Sequence, residues 1–183
     1  MPDTKLHTIS VLVENHFGVL ARISGLFSAR GYNIESLCVG ITEDPTVSRM
    51  TVVVKGDDKV LQQIINQLNK LVEVIEVIDL TRESYVEREL VLIKTEADAK
   101  RRTELLEITN IFRAKVVDMS PKAIMLEVTG SQDKIRAFID MVRPFNIQEL
   151  ARTGRIALGR SRNRDTDTET QENPEKAESG TEE

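Results

Sequence analysis

The 183-residue chain has few of the side chains that enzymes use for chemistry: one cysteine, two histidines and no tryptophan. Catalysis needs a positioned acid, base, nucleophile or metal. Cys38 has no partner for an internal disulfide, and the two separated histidines, His7 and His16, do not make a metal site of ordinary ligand spacing. The sequence therefore predicts a protein with no catalytic residues and no metal of its own.

The sequence also lacks motifs for nucleotide binding and for a catalytic nucleophile, and it has no membrane-spanning run. The chain contains no GxGxxG and no Walker loop, which leaves nucleotide binding without support. Ser10, Ser24 and Ser28 lack the context of a nucleophile elbow. No apolar run approaches membrane-spanning length, and the first predicted strand follows Met1 too closely for a signal peptide. We therefore expect a cytoplasmic protein with no membrane contact, and Cys38, within a strand-like run, as a small buried hydrophobe in a reducing compartment.

The formal net charge of −5 is concentrated at one end of the chain. Residues 161–183 contain eight acidic and three basic side chains and almost nothing apolar, so the preceding 160 residues are neutral. A segment of this composition cannot bury enough surface to offset its ordering entropy. We expect 161–183 to be a disordered acidic tail and the rest to have no long-range attraction for nucleic acid.

Hydrophobic periodicity predicts one complete folding unit in residues 1–81. Alternating residues favour a strand at 5–13, and apolar positions three and four residues apart favour a helix at 18–30. Strands at 33–41 and 47–54, a helix with apolar positions from Val60 to Leu71, and a strand at 74–80 follow. The order β-α-β-β-α-β is the ferredoxin-like arrangement, in which two helices cover one face of an antiparallel sheet.

The same pattern recurs in residues 82–160. Its predicted elements are strands at 90–93, 123–129 and 147–150, and helices around 105–112 and 135–142. The segment from Gly130 to Ile135 resembles the one from Gly56 to Val60, each preceding a helix. The two halves share the order of their elements although few of their residues are identical. The sequence therefore predicts an α+β protein of two tandem ferredoxin-like units. RNA-binding modules of this fold carry aromatic residues on their central strands and a basic surface. Here the predicted third strand, Met50–Val54, has no aromatic residue, and residues 1–160 are neutral, so RNA binding is not expected.

The loop between the first strand and first helix is the candidate ligand site. Gly18 ends a polar loop where the helix begins, and a helix N-terminus offers free N–H groups and partial positive charge to a carboxylate. Asn15 and Asn33 supply donors and acceptors on either side. The alternative is that Gly18 only turns the chain and both asparagines satisfy loop backbone. The corresponding region of the second unit, 95–103, has no glycine and is the poorer candidate.

Four segments together carry a resemblance to a known family. They are Asn15-His-Phe-Gly-Val-Leu20, Gly31-Tyr-Asn-Ile-Glu-Ser-Leu37, Ser48-Arg-Met-Thr51 and Val86-Glu-Arg-Glu-Leu90. Together they resemble the small, regulatory subunit of acetolactate synthase (acetohydroxyacid synthase), over about residues 5–160. The N-terminal part of that family is an ACT domain, a module that binds amino acids and regulates metabolic enzymes.

The resemblance implies a regulatory function. Members activate a separate catalytic subunit, a transferase of branched-chain amino-acid synthesis, and make it sensitive to feedback inhibition by valine, or in some members by leucine or isoleucine. Thiamine diphosphate, magnesium and FAD are expected in that large catalytic subunit only, and no cofactor is expected in this chain. Two copies pair, and the effector lies between them. The matching residues are Asn15, Gly18, Val19 and Leu20 from one copy, with Asn33 and Ile34 from the other.

Two further functions remain open from the residues alone. One is a stand-alone ACT-type amino-acid sensor that regulates another enzyme or a transcription factor. The other is a structural scaffold whose Gly18 loop binds nothing. Choosing among valine, leucine and isoleucine depends on one or two methylenes, worth about 1–3 kcal/mol. The sequence does not resolve that choice.

Overall fold

The computed structural model describes residues 5–98 and 100–161 and contains two antiparallel sheets with four α-helices. The first unit is β1 (Lys5–Glu14), α1 (Val19–Ala29), β2 (Ile34–Ile41), β3 (Val47–Gly56), α2 (Asp58–Leu68) and β4 (Val74–Asp79). The second is β5 (Tyr85–Glu96), α3 (Arg102–Ile111), β6 (Lys115–Met119), β7 (Ala123–Gly130), α4 (Gln132–Val142), β8 (Ile147–Arg152) and β9 (Ile156–Gly159). The predicted pair of ferredoxin-like units is confirmed. The predicted acidic tail lies outside the described residues except for Ser161.

The two units share one strand order. The first sheet runs β2-β3-β1-β4 and the second β6-β7-β5-β8, so the first strand of each unit lies inside its sheet. In the first unit, Ile9 and Val11 of β1 point toward the helices and are fully buried with Phe27 of α1 and Ile64 of α2. A second, separate core surrounds Phe138. Each unit therefore has its own hydrophobic core. It is formed by the apolar faces that the alternating strand residues and the helix residues three and four apart predict.

The repeated glycines precede helices with the same type of cap. The Asp57 carboxylate accepts a hydrogen bond from the Val60 N–H at 2.8 Å, and the Ser131 hydroxyl accepts one from the Lys134 N–H at 3.5 Å. A side-chain acceptor at this position satisfies one of the unpaired N–H groups of the first turn. These caps fix the starts of α2 and α4.

Three strands of the second unit differ from the prediction. β5 has 12 residues, whereas only the apolar run 90–93 was expected. β6 was not predicted as an element. All five of its side chains are exposed, so its sequence carries no alternation of buried and exposed residues to mark a strand. β9 was also not predicted, since its partner is the distant first half of β5, where Tyr85 pairs with Gly159 and Arg88 with Ile156. Local pattern does not contain such long-range pairing.

β9 also contacts the first unit. The Ala157 N–H donates to the Thr51 hydroxyl at 3.3 Å, and Ala157 is buried. Thr51 pairs with Ser10 in β1, on the side of the sheet away from α1 and α2. The face opposite the helices is therefore partly covered by the returning strand.

The edge strand β2 corrects two smaller expectations about packing. Cys38 is half-buried and not enclosed in the core. Alternation in β2 favours Leu37, Val39 and Ile41 on one apolar face, but only Leu37 is partly buried, and Val39 and Ile41 are exposed. In α1, a Cβ added at Gly25 would meet no atom within 4 Å, so close packing within the chain does not explain that glycine.

Within the described residues, the structure has no helix that is long and apolar enough to cross a membrane.

Candidate functional site

Gly18 has a backbone conformation that favours glycine. Its φ of 91° and ψ of −15° lie in the left-handed region, and it is the residue immediately before α1. A Cβ added here would meet nothing within 4 Å. The glycine is therefore needed for the backbone turn, and the space beside it is open to solvent.

The N-terminus of α1 differs from those of the other three described α-helices. Like α3, it has no side-chain cap hydrogen bond, but among the four described α-helices only α1 has no acidic residue in its first turn. α2 and α4 each have a side-chain cap and an aspartate in the first turn, and α3 has Glu104 there. The Val19 N–H donates to the His16 carbonyl only at 3.5 Å. The partial positive charge at the start of α1 is thus not balanced by a local carboxylate.

Asn15 anchors the loop to the turn between β2 and β3. Its backbone N–H donates to the Thr46 carbonyl at 2.6 Å, and its side-chain amide nitrogen donates to the Pro45 carbonyl at 2.8 Å. The side-chain nitrogen expected to bind ligand is therefore used to hold the loop. Among the described residues no donor is bonded to Asn15 Oδ1, which leaves this oxygen available as an acceptor.

The turn that receives Asn15 is itself fixed by a charged hydrogen-bond acceptor. Asp44 accepts the Thr46 hydroxyl at 2.6 Å and the Thr46 N–H at 2.8 Å. The hydroxyl bond, followed by the backbone bond, lowers the pKa of Asp44 below its ordinary value of 3.8. The turn is consequently held most firmly while Asp44 is ionised.

The three apolar candidates differ in how much surface they present. Val19 is only 5% exposed and packs in the first core, so its side chain is not available to a ligand within one protomer. Ile34 is partly buried against the same core. Leu20 is 47% exposed and presents the most apolar surface of the three.

The two predicted halves of the site lie at opposite ends of α1. Gly18 precedes this 11-residue helix, and Asn33 follows its C-terminal turn. An 11-residue helix is about 16 Å long, so one chain does not bring both halves around one small molecule. Asn33 instead donates its side-chain amide to Glu35 at 2.9 Å on the surface.

Sequence analysis missed the neighbouring exposed apolar residues. Phe17 is fully exposed and Val72 is 88% exposed. Their loops are joined by a hydrogen bond of 2.9 Å from the Glu14 N–H to the Glu73 carbonyl. Arg22 of α1 pairs with the Glu73 carboxylate and reinforces this junction. An aromatic side chain in an otherwise polar loop was the signal that could have identified Phe17.

The histidines are engaged locally. His7 is buried and its Nε2 lies 3.1 Å from the Gly56 carbonyl. His16 is exposed, 3.1 Å from the Glu14 carboxylate. In the part of the chain that the structure describes, no three His, Cys, Asp or Glu side chains converge to hold a metal ion.

Family models match both units. The model for the AHAS small subunit-like ACT domain matches residues 9–76, and the model for the small subunit of acetolactate synthase matches residues 88–161. A probable acetolactate synthase small subunit from Archaeoglobus fulgidus is 59% identical over 154 residues, covering 84% of this chain and 96% of the relative. The acetolactate synthase small subunit of Mycobacterium bovis is 50% identical, covering 85% and 93%.

A solved structure has the same fold over nearly its whole length. The crystal structure of the acetolactate synthase small subunit from Thermotoga maritima superposes with a TM-score of 0.80 at 41% identity. The match covers 86% of this chain and 99% of that one.

Proposed function

Because this chain belongs to the acetolactate synthase small-subunit family, we propose that it is the regulatory subunit of an acetolactate synthase. In this proposal it activates a separate catalytic subunit in the cytoplasm and makes it sensitive to feedback inhibition by valine, with leucine and isoleucine as alternative effectors. Thiamine diphosphate, magnesium and FAD belong to the catalytic subunit. The high identity over both units supports the assignment.

The uncapped start of α1 is the observation that carries the effector site. An amino-acid carboxylate approaching Gly18 would meet the N–H groups of the first turn, with no side chain in the way and no acid competing. Binding there would supply the charge that the other described helices obtain from their own residues. The proposal therefore assigns the carboxylate to Gly18, Val19 and Leu20 through their backbone.

The remaining groups of the effector are assigned to side chains on both halves. The ammonium needs acceptors, which the Asn15 Oδ1 and the Asn33 amide oxygen offer. A small branched side chain would contact the exposed part of Leu20 and the partly exposed Ile34. Val19 contributes its backbone only, because its side chain is buried.

A homodimer is required by this assignment. The Gly18 half and the Asn33 half are separated by the length of α1, so a second copy must supply the other half. The unpaired edge strand β2, which exposes Val39 and Ile41, is where pairing of two copies would remove apolar surface and free backbone groups from water. An effector bound across two copies would bias their arrangement, and that bias is the proposed origin of inhibition.

The decisive experiment measures acetolactate formation by the purified catalytic subunit alone, with this chain, and with this chain plus valine. The proposal expects the chain to raise the rate and valine then to lower it. A rate that this chain leaves unchanged would contradict the partner assignment and favour a stand-alone amino-acid sensor. A raised rate that no branched-chain amino acid lowers would contradict the effector assignment alone.

A further inference from the structure

The turn between β8 and β9 lies against β2, the strand that follows the Asn33 half of the proposed effector site. The Arg155 N–H donates to the Ser36 hydroxyl at 3.1 Å, across 119 positions of sequence. Gly154 has a φ of +78°, and a Cβ there would lie 2.9 Å from Ser36 Oγ and 3.1 Å from the Leu37 carbonyl oxygen. The second unit thus touches the first at backbone distance, two residues from Ile34.

The contact continues into the second unit through half-buried polar groups. The Arg155 side chain is 11% exposed, and its guanidinium lies 3.5 Å from the Glu87 carboxylate. The other carboxylate oxygen of Glu87 accepts the N–H of Gln132, the first residue of α4, at 3.3 Å. A continuous series of contacts therefore runs from β2 to the N-terminus of α4.

A stronger ion pair beside this series holds the sheet in place. Arg152 of β8 donates two hydrogen bonds of 2.8 Å to the buried Glu89 of β5, and this partner raises the pKa of Arg152. The Arg155–Glu87 contact is longer, and one Glu87 oxygen is buried without a hydrogen bond among the described residues. Bidentate pairs are firmly fixed, so Arg155 is the member of the cluster with room to adjust.

β2 is irregular at the point of contact. Ile34 pairs with Val54 and Ser36 with Val53, so the register shifts between them and Glu35 is the extra residue of a bulge. Bulges re-aim side chains and interrupt pairing. A ligand held by Asn33 and Ile34 would act on this bulge, and Ser36 is the first residue beyond it.

We propose that the contact of Ser36 with Gly154 and Arg155 couples effector binding to the second unit. This inference rests on the proposed function and extends it. Ser36 and Arg155 act as positioning residues: a change in the bulge shifts the Ser36 hydroxyl, Arg155 moves relative to Glu87, and the start of α4 responds. Coupling of this kind requires a contact whose arrangement both sites bias.

The test separates valine binding from inhibition in the holoenzyme. In Ser36→Ala and in Arg155→Met, valine binding measured by calorimetry should stay close to wild type. The residual rate at saturating valine should rise roughly three- to tenfold. Ser36→Ala loses the hydrogen bond from the Arg155 backbone N–H, and Arg155→Met loses the side-chain ion pair with Glu87. Arg155→Lys keeps the cation beside Glu87 and should restore inhibition. The matched control is Arg136→Ala, an exposed arginine on α4, which should behave as wild type.

Each alternative result has a distinct meaning. Wild-type inhibition in both Ser36→Ala and Arg155→Met would overturn the coupling and leave the proposed function intact. Equal loss of valine binding and inhibition would place Ser36 in the effector site itself and also overturn the coupling. Wild-type holoenzyme that neither binds valine nor is inhibited by it would overturn the proposed function, and this inference with it. If Arg155→Met fails to fold, Ser36→Ala, which removes a single oxygen, decides alone.

Discussion

At the scale of single residues, the candidate site depends more on backbone groups than on side chains. Gly18 contributes a left-handed turn and open space, and Val19 contributes an N–H while its side chain lies in the core. Asn15 uses its amide nitrogen to hold the loop. The sequence identified these positions, but it could not say which atoms of each remain available to a ligand.

Replacing Gly18 tests the carboxylate position. In Gly18→Asp the new carboxylate would occupy the place of the ligand carboxylate, and the valine concentration needed for inhibition should rise at least about tenfold, or roughly 1.4 kcal/mol. Gly18→Asn is the matched control, because asparagine tolerates positive φ and carries no charge. Inhibition by valine that is the same in Gly18→Asp and wild type would refute the site.

The turn that anchors Asn15 should respond to acid. The folded-state pKa of Asp44 is lowered, so its stabilising contribution is complete above the ordinary value of 3.8 and is lost as pH falls through the lower folded value. Thr46→Val removes the hydroxyl donor, the first cause of the shift, and should return the pKa of Asp44 toward 3.8. An NMR titration of the Asp44 carboxyl carbon in both proteins measures this. An ordinary pKa in the wild type would contradict the prediction.

At the scale of elements, the described helices differ in how their starts are stabilised. α2 and α4 follow residues that cap them with side chains, α3 has no such cap but has Glu104 in its first turn, and α1 follows a glycine and has neither. A side-chain cap satisfies N–H groups of the first turn from within the chain. The start of α1 leaves such N–H groups available to a partner outside the helix.

The two caps should differ in their contribution to stability. Asp57→Ala removes an acceptor at 2.8 Å and should lower the free energy of unfolding by about 0.5–2 kcal/mol. Ser131→Ala removes a bond of 3.5 Å and should cost less. Denaturant titrations of the two variants and wild type compare them. A larger loss in Ser131→Ala would show that bond length does not rank the two caps.

The β8–β9 turn should tolerate no side chain at its glycine. Gly154→Ala places a methyl group 3.1 Å from the Leu37 carbonyl oxygen, so the Leu37 backbone must move slightly. The alanine is also strained, because its φ of +78° is one that L-residues rarely adopt. We expect a cost of about 1–3 kcal/mol in unfolding free energy. Gly25→Ala is the contrasting control, since its Cβ meets no atom within 4 Å. Thermal unfolding of both variants measures the difference, and an unchanged midpoint for Gly154→Ala would contradict the close contact.

At the scale of the whole molecule, each chain is proposed to carry two half-sites at opposite ends of α1. A homodimer of Gly18→Asp lacks every Gly18 half, and a homodimer of Asn33→Ala lacks every Asn33 half. Neither should bind valine normally, although loss of Asn33 should weaken inhibition by only about 1–3 kcal/mol.

Mixing the two variants tests the shared site directly. After dissociation and reassociation at equal amounts, about half of the dimers combine one chain of each kind. Each such dimer regains one intact site, built from the Gly18 half of the Asn33→Ala chain and the Asn33 half of the Gly18→Asp chain. Calorimetry should then detect tight valine binding that neither parent shows. Absence of tight binding in the mixture would mean that one chain provides the whole site.

The sequence by itself determined the parts of this protein that depend on neighbouring residues. Apolar periodicity and glycines before helices are local signals that predicted the two ferredoxin-like units, and the Asn15–Gly18 loop marked the candidate ligand site. The repeated order of elements made the second unit predictable even where β6 was not recognised. Local propensity and global fold agree in these regions.

Only the tertiary structure decided what depends on distant segments meeting. The return of β9 to β5 and the approach of Gly154 to Ser36 involve residues far apart in sequence. Such pairings are set by the complementary shapes and hydrogen-bonding groups of two assembled surfaces, which no window of the sequence contains. The burial of Val19 has the same origin, because a helix position becomes core only when a sheet lies beneath it.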